Sequence, residues 1–134
     1  SALPASLIKR LGPFRGAPEH VGRLAALDRS QAVIEFDLNG TVLDANANFL
    51  KVFGCRIEDV RGRHHRQFVG AEVAASAEYA EFWRTLARGE FLAGQFKRYA
   101  ADGREIWLQA TYNPVFDAAG RPVRVVKFAS DITE

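Results

Sequence analysis

Between residues 31 and 54 the hydrophobic pattern changes period twice. Ala32–Phe36 is a short apolar run, residues 41–45 form a second, and Leu38-Asn39-Gly40 lies between them. Asn-Gly between two apolar runs predicts a tight hairpin, because both residues tolerate the positive φ such turns require. Asn46 then stands where a helix N-cap belongs, ahead of Phe49, Leu50 and Phe53, and Gly54 ends the segment. Farther on, Ile57–Val60 and residues 62–68 predict short helical turns. A longer helix is predicted over residues 76–88. Ser76 begins it, Glu78 and Glu81 suit the positive end of its dipole, and Tyr79, Phe82, Trp83 and Leu86 make one apolar face. Gly89 ends it. Three strands follow over residues 91–101, 104–115 and 121–131, with turns at Asp102-Gly103 and residues 117–120. Two strands, a run of helices and three long strands predict an α+β fold: a five-stranded antiparallel sheet with helices on one face.

Residues 1–30 have a different texture. Leu3, Leu7, Ile8 and Leu11 sit at helical spacing, Gly12-Pro13 and Gly16-Ala17-Pro18 interrupt, and Val21, Leu24 and Leu27 give a second stripe. Pro18 suits a helix start. The expected division is a cap of two short helices over residues 1–30 and a main domain over 31–134.

Composition narrows the classes. At 134 residues, with 48% hydrophobic and 25% charged residues, the chain is expected to be one soluble domain with a real core. A formal charge of +2 is too small to argue for nucleic acid or an anionic membrane surface. One cysteine, Cys55, excludes an internal disulfide, and burial as a packing residue is expected of it. No apolar run approaches the ~20 residues that span a bilayer. The chain starts without Met and stops abruptly, which reads as a piece of a longer protein.

The stretch 31–54 resembles the start of a PAS domain, the sensory module of many bacterial signalling proteins. The resemblance runs to the end of the chain, through Gly54, Gly62, Asp102-Gly103 and Asn113-Pro114, and closes on Asp131-Ile132-Thr133-Glu134. Those last residues look like the Asp-x-Thr motif that in this family couples the sheet to a downstream helix and output domain. Asp131 and Thr133 are therefore the expected relay residues. Phe82-Trp83-Arg84-Thr85-Leu86-Ala87-Arg88-Gly89-Glu90-Phe91, with residues 94–98 and 105–110, is similar to PAS domains of bacterial methyl-accepting chemotaxis receptors and aerotaxis transducers. The resemblance implies a cytoplasmic, non-enzymatic sensor of redox, oxygen or a small ligand. It also implies a homodimer through the cap and an output domain elsewhere in the parent protein.

It further implies a choice of cofactor: flavin adenine dinucleotide first, haem b second, or none, in which case the domain serves dimerisation and signal relay. A flavin ring needs a flat apolar slot with amide or guanidinium groups at its polar edge. Trp83 and Trp107 are the expected slot residues. Gln109 and Asn113 share a strand face with Trp107, because side chains at spacing two point the same way. His64, His65 and Arg66 on the preceding turn are expected to meet the polar end. Residues 69–72 depart from the Arg-His-Pro-Asp run of aerotaxis transducers. Haem needs an axial imidazole, and Val69 stands where haem-binding aerotaxis receptors have theirs, so His64 or His65 is the expected substitute. His20 is expected at the surface of the cap, and no Cys/His spacing suggests zinc.

Three other chemistries have partial motifs. Residues 36–41, Phe-Asp-Leu-Asn-Gly-Thr, look like the Asp-x-Asp-Gly-Thr motif of haloacid dehalogenase-type phosphatases, with Asp37 as nucleophile. Asn39 replaces the acid/base residue, and an amide cannot exchange a proton near neutral pH. Light-oxygen-voltage photoreceptors need a Cys where this chain has His65. The glycines at 62 and 103 are isolated, without the loop that cradles phosphate.

Overall fold

The computed structural model describes residues 14–15 and 31–133. The two helices expected within residues 1–30, with Leu7, Leu24, Leu27 and His20, lie outside the described residues. Five strands form the predicted antiparallel sheet: β2 (Ala32–Phe36), β3 (Val42–Ala45), β4 (Leu92–Tyr99), β5 (Glu105–Phe116) and β6 (Pro122–Asp131). Across the sheet they run β3-β2-β6-β5-β4. One feature was not predicted: β1 (Phe14–Arg15) pairs in parallel with Val115 and Phe116 of β5, continuing the edge that β4 occupies. No helix of the described residues is long and apolar enough to cross a membrane.

The helices between β3 and β4 all precede the long strands. They are α1 (Ala47–Phe53), α2 (Ile57–Val60), a 3-10 turn at His65–Phe68, α3 (Ala71–Ala74) and α4 (Ala77–Ala87). Of the expected stretch 62–68 only this last turn is helical, and α3 was not expected at all. Ser76 caps α4 by accepting from the Tyr79 amide at 3.1 Å. Thr41, expected in the second strand, instead bridges to His64.

Period-two alternation decides what faces what. Ala32, Ile34 and Phe36 of β2, Ile106, Leu108, Ala110 and Tyr112 of β5, and Val125 and Ala129 of β6 point to the helices. There they meet Phe49, Phe53, Val60, Phe68, Trp83 and Leu86 in the main core. Val33, Val115, Val126 and Phe128 form a second cluster on the opposite face.

Asn46 joins the hairpin to the first helix. Its Oδ1 accepts from the amides of Phe49 and Val33, each at 2.9 Å, and its Nδ2 donates to the Gln31 carbonyl at 3.0 Å. The first bond caps α1 and the other two hold that cap to β2. Gly54 ends α1 in the left-handed region, φ 66°. Replacing Asn46 with Ala removes all three bonds and is expected to cost about 1–2 kcal/mol in urea unfolding. Asn46→Asp keeps the cap and should lose less.

Candidate functional site

The helix-facing side of the sheet carries polar groups at its centre. Tyr112 of β5 and Lys127 of β6 are paired in register, and Arg98 of β4 lies opposite Ile106 on the same face. All three are buried, Lys127 at 2% and Arg98 at 7% exposure. The fourth member, His65, begins the 3-10 turn. Its position is fixed by backbone pairing to the hairpin: His65 N–H donates to the Gly40 carbonyl at 2.8 Å, and Val42 N–H to that of Arg63 at 2.7 Å. Gly40 adopts φ 92°, and a Cβ there would lie 2.9 Å from the Trp83 ring and His64 Nε2. Only glycine lets the turn tip approach so closely.

The hydrogen bonds form a directed chain. Arg98 donates from Nη2 to the Tyr112 hydroxyl at 3.1 Å, and from Nη1 to the Lys97 carbonyl at 2.8 Å. Tyr112 Oη lies 3.0 Å from His65 Nε2, and His65 Nδ1 lies 2.7 Å from the Tyr79 hydroxyl. Because Tyr112 oxygen accepts from Arg98, its own proton is free to go to Nε2, leaving Nδ1–H to donate to Tyr79. The Lys127 ammonium lies 4.8 Å from the Tyr112 ring centroid. Phe82 and Phe96 stand edge-on to that ring at 4.8 and 5.3 Å.

Burial, with the Arg98 and Lys127 charges adding, holds the His65 imidazole well below its ordinary 6.5, so it is neutral near pH 7. Burial also pulls Lys127 down, partly offset by Tyr112. For Tyr112, burial opposes ionisation, but Arg98 and Lys127 outweigh it and the phenol titrates below its ordinary 10.0. Within this cluster Arg98 Nε and Trp83 Nε1 remain without a hydrogen bond, and Gln109 Nε2 is a further buried donor without one. Burial raises the Tyr79 phenol, with the Trp83 indole beside it offsetting part of the rise.

The sequence-predicted residues divide between the two faces. Trp83 and His65 belong to the inner cluster. Trp107, Gln109 and Asn113 do share one face, as spacing requires, but it is the face away from the helices. The neighbouring set Ile106, Leu108, Ala110 and Tyr112 is the one packed under them. Trp107 is 41% exposed. Asn113 is buried and donates to Thr111 Oγ1 at 3.0 Å and the Val126 carbonyl at 3.3 Å. His64 is a turn residue: Nδ1 accepts from the Arg66 amide at 3.0 Å, which leaves Nε2–H to donate to the Asn39 carbonyl. Arg66 is exposed. Sequence reasoning missed Tyr79, Arg98, Tyr112 and Lys127. A signal existed for Lys127, a lone cation inside the apolar run Val125-Val126-Lys127-Phe128-Ala129.

Elsewhere, Asp37 Oδ1 accepts from the Asn39 and Thr41 amides, each at 2.9 Å, which closes the hairpin turn. The antiparallel sheet around it is not the parallel α/β scaffold of the phosphatases. Cys55 is half-buried, and burial followed by the Asp59 charge pushes its thiol up, away from the reactive thiolate. Asp131 and Thr133 meet at the end of β6. Thr133 N–H donates to Asp131 Oδ1 at 2.9 Å, while Thr133 Oγ1 accepts from the Trp107 amide at 2.8 Å. Ile132 N–H donates to the Trp107 carbonyl at 2.9 Å.

Comparison with known proteins agrees with this architecture. The family described as PAS fold matches residues 28–134. The biofilm dispersion protein BdlA of Pseudomonas aeruginosa is 50% identical over 109 residues, 81% of this chain and 26% of that protein. The aerotaxis receptor of Escherichia coli is 28% identical over 79 residues, 59% of this chain and 15% of that protein. The chain thus spans about a quarter or less of these relatives. Among solved structures, a light-oxygen-voltage domain studied with a flavin analogue superposes at TM-score 0.72 with 23% identity, covering 88% of this chain and 90% of that one. A PAS domain from Colwellia psychrerythraea gives 0.71 with 19% identity, covering 84% and 95%. At these identities the structural likeness is one of fold.

The buried neutral imidazole makes a prediction about acid. An unfolded His65 takes a proton near 6.5, whereas the folded one resists it. Its contribution is therefore intact above pH 6.5 and lost as pH falls toward the lower folded value, by up to ~1.4 kcal/mol per pH unit. Urea unfolding between pH 7.5 and 5 should show that slope, and His65→Phe should remove most of it. His64, lowered mainly by its own partial burial, adds a smaller slope of the same sign.

Proposed function

The chain belongs to the PAS fold family, and from that premise we propose that it is the sensory domain of a larger, cytoplasmic, chemoreceptor-type signalling protein. In this proposal a ligand held between helices and sheet biases two arrangements of the inner cluster, and β6 passes the difference to an output domain. The observation that carries the proposal is the register of β5 and β6. Tyr112 is paired with Lys127, and four residues along the same ladder Leu108 is paired with Asp131. A shift at the buried pair therefore acts through one continuous ladder on the clamp of Asp131, Thr133 and Trp107. A ligand moves such an equilibrium only by its difference in affinity for the two arrangements. The two relatives, a biofilm dispersion protein and an aerotaxis receptor, support the signalling context by name. Residues 1–30 are proposed as the cap of this domain and as its homodimer contact.

The residues on the inner face bear on the cofactor. A flavin calls for an amide-lined slot, and the amides of Gln109 and Asn113 lie on the other face. On the inner face Phe82 and Phe96 already close on Tyr112. As packed, the cluster does not fit a flavin ring. His65 is neutral as a haem ligand must be, but both its nitrogens are engaged by tyrosine hydroxyls. It does not fit haem b as packed either. The proposed stimulus is accordingly a small molecule, with neither cofactor assigned a role in the relay.

The relay is tested in the parent protein. Thr133→Ala removes the acceptor of the Trp107 amide, and hydrogen exchange there should rise by at least ~10-fold, while the inner cluster and ligand binding stay intact. Stimulus-dependent output should be lost. Unaltered output from that variant would refute the relay. The absorption spectrum of the purified domain should lack the flavin band near ~450 nm, and a dithionite-sensitive band there would reinstate the flavin.

A further inference from the structure

Two cations are buried on the helix-facing side of the sheet, and no carboxylate among the described residues pairs with either. Burying a charge is costly unless it is paired, and an ammonium beside a guanidinium adds mutual repulsion. Among the described residues the other deeply buried charge is paired: Glu35, on the opposite face, holds Arg124 at 3.0 Å. The partners of Lys127 and Arg98 are the Tyr112 ring and hydroxyl, the Lys97 carbonyl and the Phe96 ring, and while Tyr112 keeps its proton none of these carries a full negative charge. Arg98 Nε remains without an acceptor, and so does Trp83 Nε1, in side chains more than nine-tenths buried. A spare guanidinium donor on Arg98, beside a second cation that no acid among the described residues balances, describes half of an ionic contact.

We propose that this cluster is the recognition site for an organic carboxylate, with Lys127 and Arg98 holding the carboxylate group and the surrounding aromatic rings holding an apolar body. The proposal rests on the sensory reading of the same cluster and gives it a ligand class; the rings that close on Tyr112 part to admit the ligand body in the second of that reading's two arrangements. A guanidinium presents paired donors that match a carboxylate, and the ammonium supplies a point charge beside it. His65, held neutral, adds no third positive charge and leaves the stoichiometry at two cations for one ligand. The rings of Phe36, Phe82, Trp83 and Phe96 lie around the cluster and suit an aromatic or branched hydrocarbon body better than a sugar or a peptide. A route in also exists. A cleft of about 570 Å³ between α3 and β4 reaches Phe96 and Arg98 from the surface.

The arrangement predicts opposite effects of one substitution on stability and on binding. In the ligand-free domain Lys127→Met removes an unbalanced buried charge, so its melting temperature should equal or exceed that of the unaltered protein. Calorimetric titration and thermal unfolding with benzoate, using benzamide and benzyl alcohol as neutral probes of the same shape, test binding. Benzoate should raise the melting temperature and the neutral probes should not. Lys127→Met and Arg98→Met should each weaken benzoate by at least ~10-fold, and Lys127→Arg should restore much of it. In the unaltered protein the 15N resonance of the Lys127 ammonium should shift with benzoate and stay in place with benzamide, a readout that needs no variant to fold.

Equal stabilisation by benzoate and benzamide would overturn the carboxylate assignment while leaving a sensory pocket. A domain that responds to none of benzoate, phenylacetate and decanoate would overturn it as well. So would a ligand-free Lys127→Met that melts well below the unaltered protein, since its charge would then already be balanced. The sensory reading fails separately, through unaltered output from Thr133→Ala in the parent protein.

Discussion

The Tyr112 hydroxyl is where three segments of the fold meet. It accepts from Arg98 of β4, donates to His65 of the 3-10 turn, and through His65 reaches Tyr79 of α4. Each of those segments is also held by packing, but the hydroxyl chain sets which way the polar groups point inside an otherwise apolar core. A buried network of this kind is sensitive to any change in one member, because an unmatched donor or acceptor has no water to fall back on. That makes the centre of the sheet a place where a small chemical event is felt by strand, turn and helix together.

The charges around that hydroxyl set the energetics. Two cations that no acid among the described residues balances destabilise the ligand-free domain relative to an apolar core, and in the proposed account the same imbalance draws in an anion. A protein optimised for stability alone would place Met or Leu at 127, in the middle of β6. Keeping Lys there makes sense for a domain whose stability is meant to depend on a ligand. The ladder then connects the cation to the chain's last strand residues without any additional device, since Asp131 is four residues beyond Lys127 on the same strand.

Much of the fold was legible in the sequence because its signals are local. Asn-Gly at the hairpin, Asn46 and Gly54 around α1, Ser76 before α4, and the Asp-Gly turn at 102 each act within a few residues. Asp131 and Thr133 were singled out through the family resemblance alone; in the structure Asp131 accepts from the Thr133 amide two residues on. The site was only half legible. Spacing correctly grouped Trp107, Gln109 and Asn113, but period two leaves open which of two faces meets the helices. That choice depends on long-range packing of Leu108, Ala110 and Tyr112 against Phe49, Phe53 and Leu86, which no local pattern contains. Amides on a strand suggested a pocket, whereas they line the opposite face. Lys127 and Arg98 were not singled out in the sequence, because charged residues in strands are usually exposed. The parallel pair of Phe14–Arg15 with β5 is non-local too, and nothing in those two residues announces it.

The two tryptophans allow a direct test of where the ligand sits, since Trp83 is on the helix side and Trp107 on the other. Fluorescence would be followed during benzoate titration in two proteins, Trp107→Phe with Trp83 as sole reporter, and Trp83→Phe with Trp107. A saturable change in the Trp83 protein, with the Trp107 protein responding little, is the predicted result. A response carried by Trp107 alone would leave the ligand outside the inner cluster, on the outer face or in the surface cleft that Trp107 also lines, and contradict the account.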